Sequence, residues 1–462
     1  MTTAPEITPA AVALNRFGLG ARPQEPLAAE PKAGLLAQLG NYAPNNAAWA
    51  AQPQSHQQVI AYLDYQKALR QADAGSEQSL RQKFGAATQA QYRLEVSARV
   101  SSAVASATPF AERLAHFWAN HFAVSIEKPP VIALAGAFEL EAIRPHVMGR
   151  FEDMLLAVTR HPAMLFYLDQ TRSIGPNSPL GLRSERRAPQ TPRGLNENLA
   201  REILELHTLG VRSGYSQDDV TEFARALTGW SVGGLPGMPP SAPGFYGFQP
   251  QLHEPGPRNV LGRRYEQAGE AQAAAILHEL CAAPATARHI ATKLARHFAG
   301  DTPAPALIER LAGSFQRSGG DLPTVYRSLV ESPEVWAPTQ LKFKTPWEWT
   351  LSVLRGLGRQ DLGNQPIAQL LTQMGQTVWR PGSPAGFDDI ADSWAAPDAL
   401  LRRVTSAERL ASLAGSGIDA RRLAPQLLPG GLSEATLTAI TRADSPDIAL
   451  ALLFSSPEFL RR

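Results

Sequence analysis

A single cysteine, Cys281, stands in 462 residues, so no intrachain disulfide can form and a cysteine-built metal cluster is excluded. Cys281 lies among Leu277, Leu280 and Ala282 and reads as a small core residue rather than a nucleophile. An excess of charge of one sign is also lacking. Lys plus Arg number 44 and Asp plus Glu 42, a formal net charge of +2, and no nucleic-acid partner is expected. No apolar run approaches the length of a membrane span. The opening MTTAPEITPAAVALNRFGLG has neither a basic n-region nor a long apolar h-region. The expectation is a soluble protein that stays in the cytoplasm, or one exported in company with a partner. Nucleophile elbow, Walker loop, dinucleotide fingerprint and HExxH are all missing. LNRFGLGARP is not a phosphate loop, because no lysine follows it and no strand precedes it. No cofactor is expected.

What the chain has is helical periodicity, from one end nearly to the other. It predicts a mainly α protein, a large multi-helix assembly with one small β hairpin near residues 245–265. Three regions follow from composition: an N-terminal helical region over 1–170, a central region over 171–268, and a C-terminal helical region over 269–462. The hairpin rests on Phe245, Tyr246 and Phe248 as one strand and 259–265 as the other, with HEPGPR as their turn and His253 and Glu254 at its mouth. Residues 171–193 read as a loop holding Arg172, Arg183, Arg186, Arg187 and Arg193 against one acid, Glu185. Ala287 to Phe298 is an amphipathic helix with Ile290, Leu294 and Phe298 in line. In KFKTPWEW, Thr345 is the expected N-cap, Pro346 the first helical residue and Glu348 the third. Residues 375–389 read as a loop anchored by Trp379.

The densest chemistry lies in NENLAREILELHTLGVRSGYSQDDVTEFARALTGW, residues 196–230. On a wheel of about 100° per residue, Leu195, Leu199, Ile203, Leu206 and Leu209 share a broad apolar face. Glu197, Arg201, Glu205 and Thr208 share another. Glu202 falls inside the apolar arc, with Asn198 one turn before it. A carboxylate there has to be paired, protonated or facing a cavity. Glu202 is therefore expected to be largely buried, within reach of a cationic or amide partner, and on a cavity wall. Arg201 and Arg225 are the local candidates for an ion pair. Gly210 is the expected helix stop, and Ser216 with Asp219 forms a capping box for the next helix.

Upstream, PFAERLAHFWANHFAV places Phe110, Leu114, Phe117 and His121 on one face, so His121 is directed at the core. His116 points elsewhere. Five residues are about 140° on a regular helix, whereas residues three or four apart share a face, so no shared metal is expected for this pair.

HFWANHF at 116–122, AMLFYLD at 163–169, NENLAREILELHTLGV at 196–211, YSQDDVTEFARALTGW at 215–230 and KFKTPWE at 342–348 occur in one order. Together they resemble the large bacterial family called domain of unknown function 1800, over nearly the whole chain. The resemblance implies a mainly helical fold. It also implies a partner, since members often sit beside the gene for a second protein that is similar to sulfatases and phosphatases and tends to be exported. Two positions depart from the family's pattern. His207 stands where a phenylalanine usually precedes TLGV, and His253-Glu254 where the β turn usually carries His-Asp.

Two functions of different class fit these residues. One is a hydrolase-like enzyme with a polar pocket centred on the 196–205 helix. Glu202, His121 and His253 would then be its catalytic candidates, Asn198, Glu197, Arg201 and Arg193 its ligand-binding candidates, and it would hold no metal. The other is a non-catalytic helical scaffold that binds the sulfatase/phosphatase-like product of the adjacent gene. Convergence of Glu202, Asn198, His121 and His253 on one cavity would favour the enzyme.

Overall fold

Proline at the first helical position starts many of the helices, among them Pro109, Pro284, Pro305, Pro346 and Pro446. A residue there needs no N–H partner, and the ring presets φ for the helix. The computed structural model describes residues 7–187, 194–235, 242–339, 342–362, 366–415 and 417–462. The architecture is mainly helical, as the periodicity predicts. Five helices position the site: α1 (Pro109–His121), α2 (Asn198–Glu202), α3 (Gln217–Leu227), α4 (Pro284–Ala299) and α5 (Pro346–Gly356). One continuous core takes side chains from Ile7 to Leu460, with Trp49, Trp118, Trp230 and Trp349 among its largest members. Cys281 is in that core, and burial pushes its thiol well above the usual range. Among the described residues no helix is long and apolar enough to cross a membrane.

The β structure lies where expected, but it pairs differently. Strand β1 (Trp230–Val232) pairs antiparallel with β2 (Tyr246–Phe248), Trp230 opposite Phe248. Strands β3 (Arg258–Val260) and β4 (Arg263–Tyr265) form a separate tight hairpin. Leu261 and Gly262 both have positive φ, as a two-residue turn between strands requires. HEPGPR links the two ladders instead of turning one of them. Its prolines, Pro255 and Pro257, offer no N–H to a ladder. A second departure is the helix Pro179–Arg187 inside the stretch read as loop. Ser178 accepts the Gly181 N–H at 3.1 Å there, a local cap.

The third departure matters most. Helix α2 does not continue as an α-helix. From Ile203 to His207 it widens into a π turn, with bonds to the fifth residue back. Thr208 Oγ1 then closes on the Ile203 carbonyl at 2.6 Å. The wider turn rotates every later side chain relative to a 100° wheel. Leu204, His207 and Thr208 are buried, whereas Glu202 is only half-buried.

Candidate functional site

A cavity of about 320 Å³ opens between α1, α4, the start of α5 and the segment 376–389. Helix α1 packs Phe110, Leu114 and Trp118 into the core and lines the cavity with Arg113, His116, Phe117, Asn120 and His121. Helix α4 buries Ile290, Leu294 and Phe298 as its apolar stripe predicts. The adjacent stripe, His289, Lys293 and His297, is spaced by four residues and so lies on one face. All three line the cavity, with Arg296 beside them.

The remaining walls are held by local chemistry. Thr345 caps α5 by accepting from the Glu348 N–H at 3.2 Å, and the Glu348 carboxylate accepts from the Thr345 N–H at 2.9 Å. That is the expected capping box. The same carboxylate also faces Arg113 and lies 2.8 Å from Arg462. Asn120 clamps the 376–389 segment by accepting from the Phe387 N–H at 2.7 Å and donating to the Phe387 carbonyl at 2.9 Å. The neighbouring Gly386 has φ +85, and a Cβ there would lie 2.2 Å from the Asn120 carbonyl oxygen. Only glycine fits that approach. Trp379 is buried, as its role of anchor requires, and its carbonyl accepts from the Ile126 N–H at 2.9 Å.

The hydrogen bonds fix the imidazole tautomers, because a carbonyl or carboxylate can only accept. His121 Nε2–H donates to the His207 carbonyl at 3.1 Å, and His289 Nε2–H to the Leu206 carbonyl at 3.0 Å. Both acceptors lie at the end of the π turn, where carbonyls have no helical partner. His121 Nδ1 is left bare and buried, without a partner among the described residues. His116 Nδ1 accepts from the Trp347 indole N–H at 3.2 Å, leaving its proton on Nε2, 3.6 Å from Glu112. His297 is set the other way. Its Nδ1–H donates to Asp389 at 2.8 Å, and Nε2 is bare, buried and without a partner among the described residues.

All of these rings are neutral at pH 7. Burial pushes His116 and His121 well below the usual histidine range, helped at His116 by Arg99 and at His121 by Lys293. His289 falls to about 4 by burial and Lys293, and His207 to about 3 by the same two causes. His297 is lowered to about 4 by burial, although Asp389 opposes the shift. Burial alone would raise Asp389, but His297 and Lys342 hold it far below the carboxylate range, so it stays ionised. Burial lowers Lys293 to about 8.

The structure does not gather the sequence candidates into one place. His121 lines the cavity, and His116 lines it too, from another position on α1. Glu202 does not line it. It is half-buried and, among the described residues, makes no hydrogen bond or ion pair, neither with Arg201 nor with Arg225. Half-burial raises its proton affinity, and Glu205 adds to that. The expected deep burial, partner and place on this cavity fail because the wheel took its bearings from Leu195, which precedes the helix start at Asn198, and from Leu206 and Leu209, which the π turn displaces. Asn198 is exposed. Glu197 and Arg201 pair with each other at 3.2 Å and with Gln217, tying α2 to α3 at the surface. Arg225 pairs with Glu222. His253 accepts no cavity role by position: its Nδ1–H donates to the Thr228 carbonyl at 2.9 Å beside β2. Glu254 is buried and holds the Asn177 N–H at 2.8 Å. Arg193 lies outside the described residues.

The His289–Lys293–His297 stripe, Arg296 and Asp389 were not among the candidates. The four-residue spacing was the available signal, but on an amphipathic helix a polar face reads as solvated unless something covers it. Among the described residues no three His, Cys, Asp or Glu side chains converge as a metal requires.

Fold and cavity together define a mainly helical protein with a cavity lined by histidines and cations. The chain belongs to the family described as "Protein of unknown function (DUF1800)", whose model matches residues 12–461. No curated protein and no solved structure gives a significant match.

Proposed function

We propose that the cavity is the active site of a hydrolytic enzyme acting on a small molecule, with His297 as its general base and Asp389 as the residue that orients it. The observation that carries this reading is His297 on the cavity wall, its Nε2 buried with no partner among the described residues and its opposite ring nitrogen held by Asp389 at 2.8 Å. An imidazole held by a carboxylate presents its lone pair in one direction and gains stabilisation when it takes up a proton. Lys342, 3.0 Å from Asp389, fixes the carboxylate in turn. A water between Nε2 and an electrophilic centre would give its proton to Nε2 as its oxygen forms the new bond. The leaving group would depart with the bonding electrons and recover that proton from Nε2. His121 lies on the same wall, neutral, with Nδ1 free to accept.

The test is a panel of small chromogenic carboxylate, phosphate and sulfate esters. His297→Gln should lower kcat about 10²–10⁴-fold on whichever ester turns over, with its denaturant midpoint close to that of the parent. Activity should fall as pH drops through about 4, where His297 becomes protonated. Turnover that survives the substitution, or no turnover on any ester, would leave the scaffold reading in its place.

A further inference from the structure

We infer that Lys293 and Arg296 form a subsite for an oxyanion group carried by the ligand of this cavity. The inference rests on the hydrolytic reading only for what happens to that ligand afterwards. It starts from a contrast among the cations of the cavity wall. Arg99 is paired with Glu139 at 2.7 Å, and Arg113 is held by Glu348 and by the Gly18 carbonyl at 2.6 Å. Lys293 and Arg296 are the exceptions. Lys293 makes no hydrogen bond or ion pair with any described residue, and the Arg296 Nε is buried with no acceptor among them. The buried Arg144, by contrast, is held by Glu112 through two bonds of 2.8 and 2.7 Å.

Two unpaired cations one helical turn apart, on the wall of a cavity, carry a standing cost unless something charged enters. The two acids nearby do not meet the need. Asp389 is already shared by His297 and Lys342, and Asp388 accepts from Ser393 at 2.8 Å. Asp389 favours the Lys293 charge but makes no bond to it, and the rings on which that charge bears, His121, His207 and His289, are neutral and give it no counter-charge. An ammonium and a planar guanidinium side by side suit an oxyanion, the first as a point charge and the second as a fork of donors. A volume of about 320 Å³ admits such a group with a small organic body attached. Once bound, the anion would also draw protons more strongly to Lys293 and His297, which couples recognition to the strength of the base.

The experiment is calorimetric titration of the whole protein with inorganic phosphate, inorganic sulfate and acetate, each against chloride at matched ionic strength. At least one of the three should bind saturably at one site, and the preferred anion identifies the head group. Lys293→Met and Arg296→Met should each weaken that binding about tenfold or more. Their own unfolding midpoints should equal or exceed the parent's, because each removes an unpaired cation. Absence of binding beyond the chloride control, or binding that neither cation variant alters, overturns the inference. Anion binding without any ester turnover would count against the hydrolytic reading alone, and turnover without anion binding against the subsite alone.

Discussion

Glu348→Gln is expected to lose about 3–5 kcal/mol of stability at pH 7, read from urea unfolding, because it leaves buried cations without their counter-charge. Glu348 faces Arg113, lies 2.8 Å from Arg462, and closes the capping box of α5. All three side chains are buried. Glutamine keeps the shape and one acceptor for the Thr345 N–H, so the loss isolates the charge. Burial alone would raise the Glu348 carboxyl, but Arg462 and Arg113 overcome it and lower the value to about 2. A depressed folded pKa contributes stability above the ordinary value near 4.5, and that contribution is lost as pH falls through about 2. Parent and variant should therefore converge in acid. A gap that stays constant from pH 7 to pH 2 would show that the loss is steric.

The opposite sign is expected one turn earlier. Lys344→Met should raise stability by about 1–4 kcal/mol, because it replaces a buried, unpaired charge with an apolar chain of similar length. Lys344 Nζ is buried with no hydrogen-bond partner among the described residues, and it stands 4.4 Å over the Phe459 ring. Burial lowers it to about 7, Glu348 opposing and Arg113 assisting. Between about 7 and 10.5 the unfolded chain binds a proton that the folded chain does not, so parent stability rises with pH across that window. The variant should lack that rise. If Lys344→Met is less stable than the parent at pH 7, the amine has a partner and the charge balance around Glu348 is drawn wrongly.

These two neighbours also show what the sequence makes legible. Thr345, Pro346 and Glu348 form a cap within four residues, so the start of α5 can be read directly, as can the Ser216–Asp219 box of α3. The second duty of Glu348, holding Arg113 from 235 residues away, has no local trace. Helical periodicity made the mainly α class plain. It failed at Glu202, because the helix begins only at Asn198 and a π turn after Glu202 displaces the leucines that set the phase, and no residue announces either change. Strand β1 was hidden for a simpler reason: three residues directly after α3 are too few to show alternation. The cavity was half visible. His121 pointed inward by its spacing, and the 289–293–297 stripe is equally regular. The residues that turn that stripe into a wall lie some 90 positions on, at Asp388 and Asp389, and only the tertiary fold joins them.

The central claim is that His297, on the cavity wall, is a neutral base whose Nε2 is left free. Nitrogen-15 spectra of protein labelled in the histidine rings test it most directly, with the His297 signals assigned by their absence in His297→Gln. The account predicts a neutral ring at pH 7, protonated at Nδ1 and bare at Nε2, that gains its second proton near pH 4. A ring protonated at Nε2, or doubly protonated at pH 7, would contradict it.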